Sequence, residues 1–386
     1  MTPHTAINES IRRNDIDWLR VLAVFLLFHF HTAVLFYPGM YIQNSESNTI
    51  IRLFVMFVHQ WHMPLFFILS GMSTFYALSH RTSGQYLIER CKRLLAPLAF
   101  GTLLLVPPLV YMQFKSQPGF NESYLEFYPK FFNAPYPIGN FQWAHLWFLA
   151  YLFPFSIIAL PLVLKFKTET PPSRLVSKTA ALCSAPWGIF LLGLPFAISE
   201  AVLRPGWPGL ENLYDDWANF FLYLFCFIYG CLLCADRRFS TAVDKHRRPA
   251  AMLGLIFTGI ALALFILAIK WRLYNGYNPL SMSLHFVRGW NTWFWLLFIL
   301  GTGQRYLKST HPALNYMKEA ALPVYVLHQT ILVGIGFYVI QWKVGIWPKF
   351  LFIDLGAVVA TILTYDLLVR RWNMMRILFG MRLKPR

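Results

Sequence analysis

The sequence predicts an all-α, polytopic integral membrane protein with about ten transmembrane helices. Three observations carry that prediction. Hydrophobic residues make up 57% of the 386 and charged residues only 13%, against roughly 25% charged in a soluble globular domain. Apolar stretches long enough for about 20 residues of helix recur along the whole chain. Lysine and arginine gather in alternate segments between them, the pattern of the positive-inside rule.

The expected spans are 18–37, 53–78, 94–113, 144–164, 181–199, 217–234, 251–269, 287–303, 321–340 and 350–369. Lipid offers no partner to open backbone groups, and none of these runs alternates as a barrel strand does, so helices are the expectation. The first run follows Arg12 and Arg13, as a signal peptide would. However, no small-x-small cleavage site follows it and His29 and His31 interrupt it, so it reads as a retained helix. The sixth contains Cys231 and Cys234 in CLLC, a metal or redox spacing. With no second ligand pair, packing is the expected role and no metal is expected.

With the N-terminus in the cytoplasm, 25 of the 34 Lys and Arg residues fall on cytoplasmic segments. That contrast predicts both termini inside, with a cytoplasmic segment over 1–16 and a basic cytoplasmic tail over 372–386. The net charge of +17 therefore reflects membrane topology and not nucleic acid. No repeat, linker or soluble-length segment divides the chain, so residues 1–386 form one membrane domain whose partner is the bilayer. The longest external stretch, 114–142, is rich in aromatics; it reads as an interfacial belt, with a sugar-stacking platform as the functional alternative.

Ionisable residues inside a span are costly and hence candidates for function. Asp17, Arg20 and His31 share one face of the first helix, because eleven residues make three turns plus about 20°. His29 lies roughly half a turn out of phase. On the second helix, His59, His62, Phe66 and Ser70 recur at helical spacing. Ser70 and Gly71 form a small pair that either lets helices approach or makes room for a ligand chain. Arg90 and Arg93, in ERCKRLLAP on the approach to the third helix, are of the type that binds phosphate through paired, charge-assisted hydrogen bonds. His145 and Trp147, in WAHLWFLAYL, are expected at the outer interface. His328, in ALPVYVLHQTIL, is expected inside a span.

Taken together these residues resemble the membrane acyltransferase-3 family over nearly the whole chain. The motifs are Arg20 and His31 separated by ten residues, the PLFFILSG segment from Pro64 to Gly71, Arg90 and Arg93 followed by Pro97, HLWFL from His145 to Leu149, and Tyr325 to His328. Within the family the chain is most similar to the subgroup that adds succinyl groups to periplasmic glucans. The resemblance implies a multi-pass enzyme of the inner (plasma) membrane that moves an acyl group, succinyl or acetyl, from cytoplasmic acyl-CoA to a hydroxyl of an envelope glycan, without a metal. His31 is the base suited to activate that hydroxyl. Arg20 and His62 stand beside it, with His62 or Ser70 receiving charge from the thioester carbonyl. Arg90, Arg93, Ser70 and Gly71 are expected at the donor, and His145, Trp147 and His328 at the acceptor. A transporter or flippase of envelope intermediates is the alternative; no matching broken helices in two halves support it.

Overall fold

A computed structural model describes residues 13–37, 41–42, 44–168 and 173–384; Arg12 and Arg386 lie outside the described residues. No strand occurs among them, and the helices form one bundle. The chain runs through α1 (Asn14–Leu35), α2 (Thr49–Ala77), α3 (Ser83–Lys115) and the short α4 (Tyr124–Lys130). The bent pair α5 (Ala144–Ile158) and α6 (Leu160–Lys167) follows, meeting at 54°, then α7 (Arg174–Ser184), α8 (Gly188–Leu203) and α9 (Trp217–Leu233). The remainder is α10 (Arg237–Lys270), α11 (Pro279–Tyr306), α12 (Pro312–Val339), α13 (Ile346–Val369) and α14 (Asn373–Leu378).

Six of these, α1, α2, α3, α10, α12 and α13, are long and apolar enough to cross a membrane, and the bent pair α5–α6 makes a seventh. The protein is thus a multi-pass membrane protein, while the count of ten rests in addition on α8, α9 and α11. Of these, α8 and α9 are short apolar helices, and α11 has 28 residues but carries His285, Arg288, Asn291 and Thr292. Where a span over 181–199 was expected, the chain instead breaks at Pro186 and Trp187. Proline cannot continue the ladder, and Trp187 takes a left-handed φ of 64°, so α7 and α8 are separate.

Helix α1 is central. Asp15 and Asp17 in its first turn suit the positive end of the helix dipole, and it packs against α2, α11, α12 and α13. Helices α10 and α13 are peripheral and keep apolar side chains such as Leu255, Ile266, Leu355 and Val359 exposed. Closest crossings occur where side chains are missing. A Cβ at Gly71 would stand 2.0 Å from the Phe227 carbonyl oxygen of α9, and one at Gly230 of α9 would stand 2.1 Å from that of Ile68. Small residues let helix backbones meet in this way. Gly71, expected at a ligand, is therefore a packing residue facing α9, whose backbone leaves it no ligand space.

Helix α2 is interrupted at Gln60 and Trp61. The Thr292 hydroxyl donates to the Gln60 carbonyl (2.9 Å) and the Asn291 amide to its side-chain oxygen (2.5 Å). Neighbouring helices thus satisfy what the break exposes. In the aromatic-rich stretch 114–142, Phe120 and Phe127 pack on Tyr111 and Phe114 of α3, so those rings stabilise α4 instead of presenting open faces.

Candidate active site

Two cavities open at opposite ends of the bundle. The first, about 620 Å³, lies where α1 begins and is lined by Asp17, Arg20, Ser70, Ser73, Glu89, Arg90 and Arg93 among others. The second, about 530 Å³, lies beyond the end of α1 at Tyr37 and is lined by His59, Glu200, Arg204, Glu211, His285 and Arg288 among others. Arg20 and His31 are separated by about 16 Å of helical rise, so the histidine stands between the two.

The first cavity is strongly cationic. Its walls carry Arg13, Arg20, Arg81, Arg90, Arg93 and Lys318 against the carboxylates of Asp17 and Glu89. Helix α3 starts earlier than the apolar run suggests, at the Thr82–Gln85 capping box, so Arg90 and Arg93 sit on the helix itself. A π-type turn spans Cys91–Leu95, just before Pro97, which has no N–H to continue the regular ladder. Arg90 donates to the Thr74 hydroxyl (3.0 Å), which shares a hydrogen bond with the Tyr86 phenol (3.0 Å), and its guanidinium lies 4.9 Å over that ring. Arg93 meets Glu89 at 3.5 Å. Arg20 reaches Asp17 at 3.3 Å and donates to Ser73. These contacts orient three guanidiniums on one wall without using up their donors.

Phe66, Phe148 and Tyr325 cap this cavity, with ring centroids 5.7 and 5.8 Å apart in sequence. Immediately behind them lies a cluster of imidazoles: His31 and His328 are 5.1 Å apart, and His145 and His328 5.3 Å. His145 Nε2 lies 3.0 Å from the Val326 carbonyl and His328 Nδ1 2.6 Å from that of Tyr325. A carbonyl only accepts, so each of these nitrogens carries a proton and donates it. The opposite nitrogens, His145 Nδ1 and His328 Nε2, have no partner among the described residues, nor has His31 Nδ1. Buried polar atoms are rarely left so, and here several occur together. Beside them lies the fully buried Gln329, whose amide has the Tyr41 phenol as its polar neighbour. Among the described residues no group of three or more His, Cys, Asp or Glu is arranged to hold a metal ion.

The other expected residues fall into place around this cluster, with differences. His62 Nε2 donates to the Ala23 carbonyl at 2.8 Å, tying α2 to α1. Its one N–H in the neutral state is thereby engaged, so it is not a free donor for a carbonyl oxygen. His59, expected on the same face as His62, lies across the break in α2 and lines the second cavity. Ser70 lines the first cavity. His145, expected at the outer interface, lies in the first turn of α5 and is buried within the bundle to 5% exposure. Trp147 is likewise buried, stacked among Phe67, Tyr151 and Tyr223, away from the imidazoles. His29 turns outward, its Nδ1 3.6 Å from the Asp354 carboxylate of α13. Several residues escaped the sequence reading: Gln329, Asp354, Arg288 and the Glu200–Arg204 pair. Asp354 and Arg288 lie inside expected spans, and the rule that singled out α1 applies equally to them.

A helical membrane protein with polar chemistry enclosed between two opposed cavities is the class these features define. The chain belongs to the acyltransferase-3 family, whose model, described as an acyltransferase domain, matches residues 13–369. It is similar to the glucans biosynthesis protein C of Salmonella schwarzengrund (strain CVM19633), of Salmonella heidelberg (strain SL476) and of Salmonella agona (strain SL483). Each is 22% identical over 340 residues, covering 85% of this chain and 84% of the relative. No solved structure matches. The protein is therefore a membrane acyltransferase.

Proposed function

We propose that the protein transfers a succinyl or acetyl group from acyl-CoA to a hydroxyl of an envelope glycan, in an inner membrane crossed ten times with both termini cytoplasmic. The observation that carries this reading is the order of sites along α1: a cationic cavity with Arg20, Arg90 and Arg93, then the imidazoles around His31, then a second cavity. The pyrophosphate and 3′-phosphate of coenzyme A match the guanidiniums of the first cavity. With the phosphates bound there, the thioester end extends under Phe66 and Tyr325 towards His31 in this reading.

A sugar hydroxyl needs a base to take its proton, and a neutral imidazole is a base suited to that. His31 takes the hydroxyl proton as the oxygen attacks the thioester carbonyl. The carbonyl becomes an oxyanion, and the buried amide of Gln329, next to His328 in the chain, is the N–H donor proposed for it in place of His62. The intermediate then collapses with cleavage of the carbon–sulfur bond. The proton returns from His31 to the sulfur, leaving free coenzyme A and the acylated glycan. His145 and His328, locked through their other nitrogens, keep the chamber polar and hold His31 in position. The name of the relatives supports a glucan as acceptor.

The test is transfer of a radiolabelled acyl group from acyl-CoA to glucan by the purified protein in nanodiscs. Uptake and release of glycan without label transfer would favour a transporter instead. Reporter fusions after Leu78, Leu164, Leu233 and Gly303 should read as cytoplasmic and those near Asn44, Asn121, Glu211 and Tyr274 as external; two reversals break the topology.

A further inference from the structure

The second cavity contains a cation that its own walls do not neutralise. Glu200 and Arg204 neutralise each other: Arg204 Nη2 donates to Glu200 Oε1 at 2.6 Å and Nε to Oε2 at 3.2 Å. Arg204 Nη2 also donates to the Asn219 side chain at 2.8 Å, so this guanidinium is well satisfied. Arg288 is different. It lies nine residues into α11, about 14 Å from the start of that helix, and forms no ion pair among the described residues. Its nearest polar contact from a side chain is His285 Nδ1 at 3.5 Å, at the outer limit of a hydrogen bond. Glu211, the other carboxyl of the cavity, is held protonated at neutral pH by burial, its pKa pushed up to about 8, and does not balance it.

A guanidinium inside an apolar helix is costly unless water or a counter-charge attends it. The cavity admits water, yet a scaffold arginine would more economically be paired, as Arg204 is. The surroundings also suit a polar ligand: Thr292 and Gln60 are neighbours on the wall, and Tyr223 and Tyr274 offer ring faces. We propose that Arg288 binds an anionic group, carboxylate or phosphate, carried by one of the two reactants, and so sets the preference of this acyltransferase for an acidic substrate. Two sources present that chemistry at this end of the bundle. One is the distal carboxylate of a dicarboxylic acyl group extending past His31; the other is an acidic substituent on the acceptor glycan. The inference rests on the reading of this cavity as a place where a reactant binds.

Its test uses the full-length protein in nanodiscs, with acetyl-CoA and succinyl-CoA as donors. The acceptors are cellobiose and the same disaccharide with one ring oxidised to a uronic acid. Wild type, Arg288→Gln and Arg288→Lys are compared, and the quantity read is the ratio of kcat/KM for the anionic over the neutral reactant. Arg288→Gln should lower that ratio about ten- to a hundredfold, with part of it restored by Lys. A change confined to the donor pair assigns the anion to the acyl group, and one confined to the acceptor pair assigns it to the glycan; both support the proposal. Ratios unchanged within about twofold, or a parallel fall in all four combinations, overturn it. Calorimetric binding of the same four compounds separates this from the reaction itself. Wild type that binds an anionic compound through Arg288 but transfers nothing refutes the transfer reaction alone, whereas equal binding by wild type and Arg288→Gln refutes the role of Arg288. Thermal melts of both variants report whether the fold is kept.

Discussion

The two cavities hold charge in opposite ways. In the first, cations outnumber carboxylates; Arg13 and Arg81 are ion-paired with Asp15 and Glu89, while Arg20 and Arg90 are oriented by hydroxyls and a ring and keep donors for a polyanion. In the second, an ion pair with multiple bonds fixes Arg204, a single guanidinium is left over, and a protonated carboxyl stands nearby. The difference teaches that net charge is a poor guide to what an intramembrane site recognises; the saturation of each charge matters more. Where the guanidinium forks are open, phosphate is the fitting ligand. Where most are closed, recognition depends on shape, hydroxyls and the one remaining cation. Between them the imidazole cluster belongs to neither electrostatic regime.

The largest expected effect tests whether that middle layer is the place where the two meet. His31→Ala should lower acyl transfer by about 10² to 10⁴ with acyl-CoA still bound, measured by single-turnover transfer and by binding on the same preparation. His29→Ala should keep substantial activity, because its imidazole faces Asp354. Loss of transfer in His29→Ala alone would move the chemistry to the α13 side. Next comes Gln329→Leu, expected to cost about 10² to 10³ in kcat with little change in KM, as for other lost oxyanion donors. A rise in KM at constant kcat would instead make the amide a ground-state contact.

Smaller effects sharpen the contrast between the cavities. Arg90→Ala should weaken acyl-CoA binding about ten- to a hundredfold, since charge-assisted contacts contribute about 1.5–3 kcal/mol. Arg93→Ala should do less, because it is half-exposed and shares Glu89 with Arg81. Neither should alter glycan binding; a loss there would mean the cavities are one. A last effect, on stability and not on activity, is the pH dependence of folding. Glu211 binds its proton up to about pH 8 when folded but only to about 4.3 when unfolded. Across that window the native state holds more protons, so stability falls as pH rises and levels off above 8. Thermal melts from pH 5 to 9 should show this slope, and Glu211→Gln should flatten it; an unchanged slope would place the titration elsewhere.

The relation of Arg20, His31 and His29 was legible in the sequence because a single helix fixes phase and rise, and nothing in tertiary packing alters them. The same holds for Arg90 and Arg93, which line a common cavity, whereas the run over 181–199 is broken at Pro186 and Trp187. What one helix could not reveal is what the others bring to it. His59 and His62 share helical spacing, yet the break at Gln60, made tolerable by Thr292 and Asn291 of α11, sends them to different cavities. His145 reads as interfacial by position, but its N–H finds the Val326 carbonyl of α12 and draws it inward. Gly71 beside Ser70 looks like ligand space until α9 arrives with a glycine of its own. Composition and periodicity by themselves determined a helical membrane protein and the helical face that Arg20 and His31 share. Only the tertiary structure decided which nitrogens are engaged and which stay open, because hydrogen bonds between helices depend on partners that lie far apart in the chain.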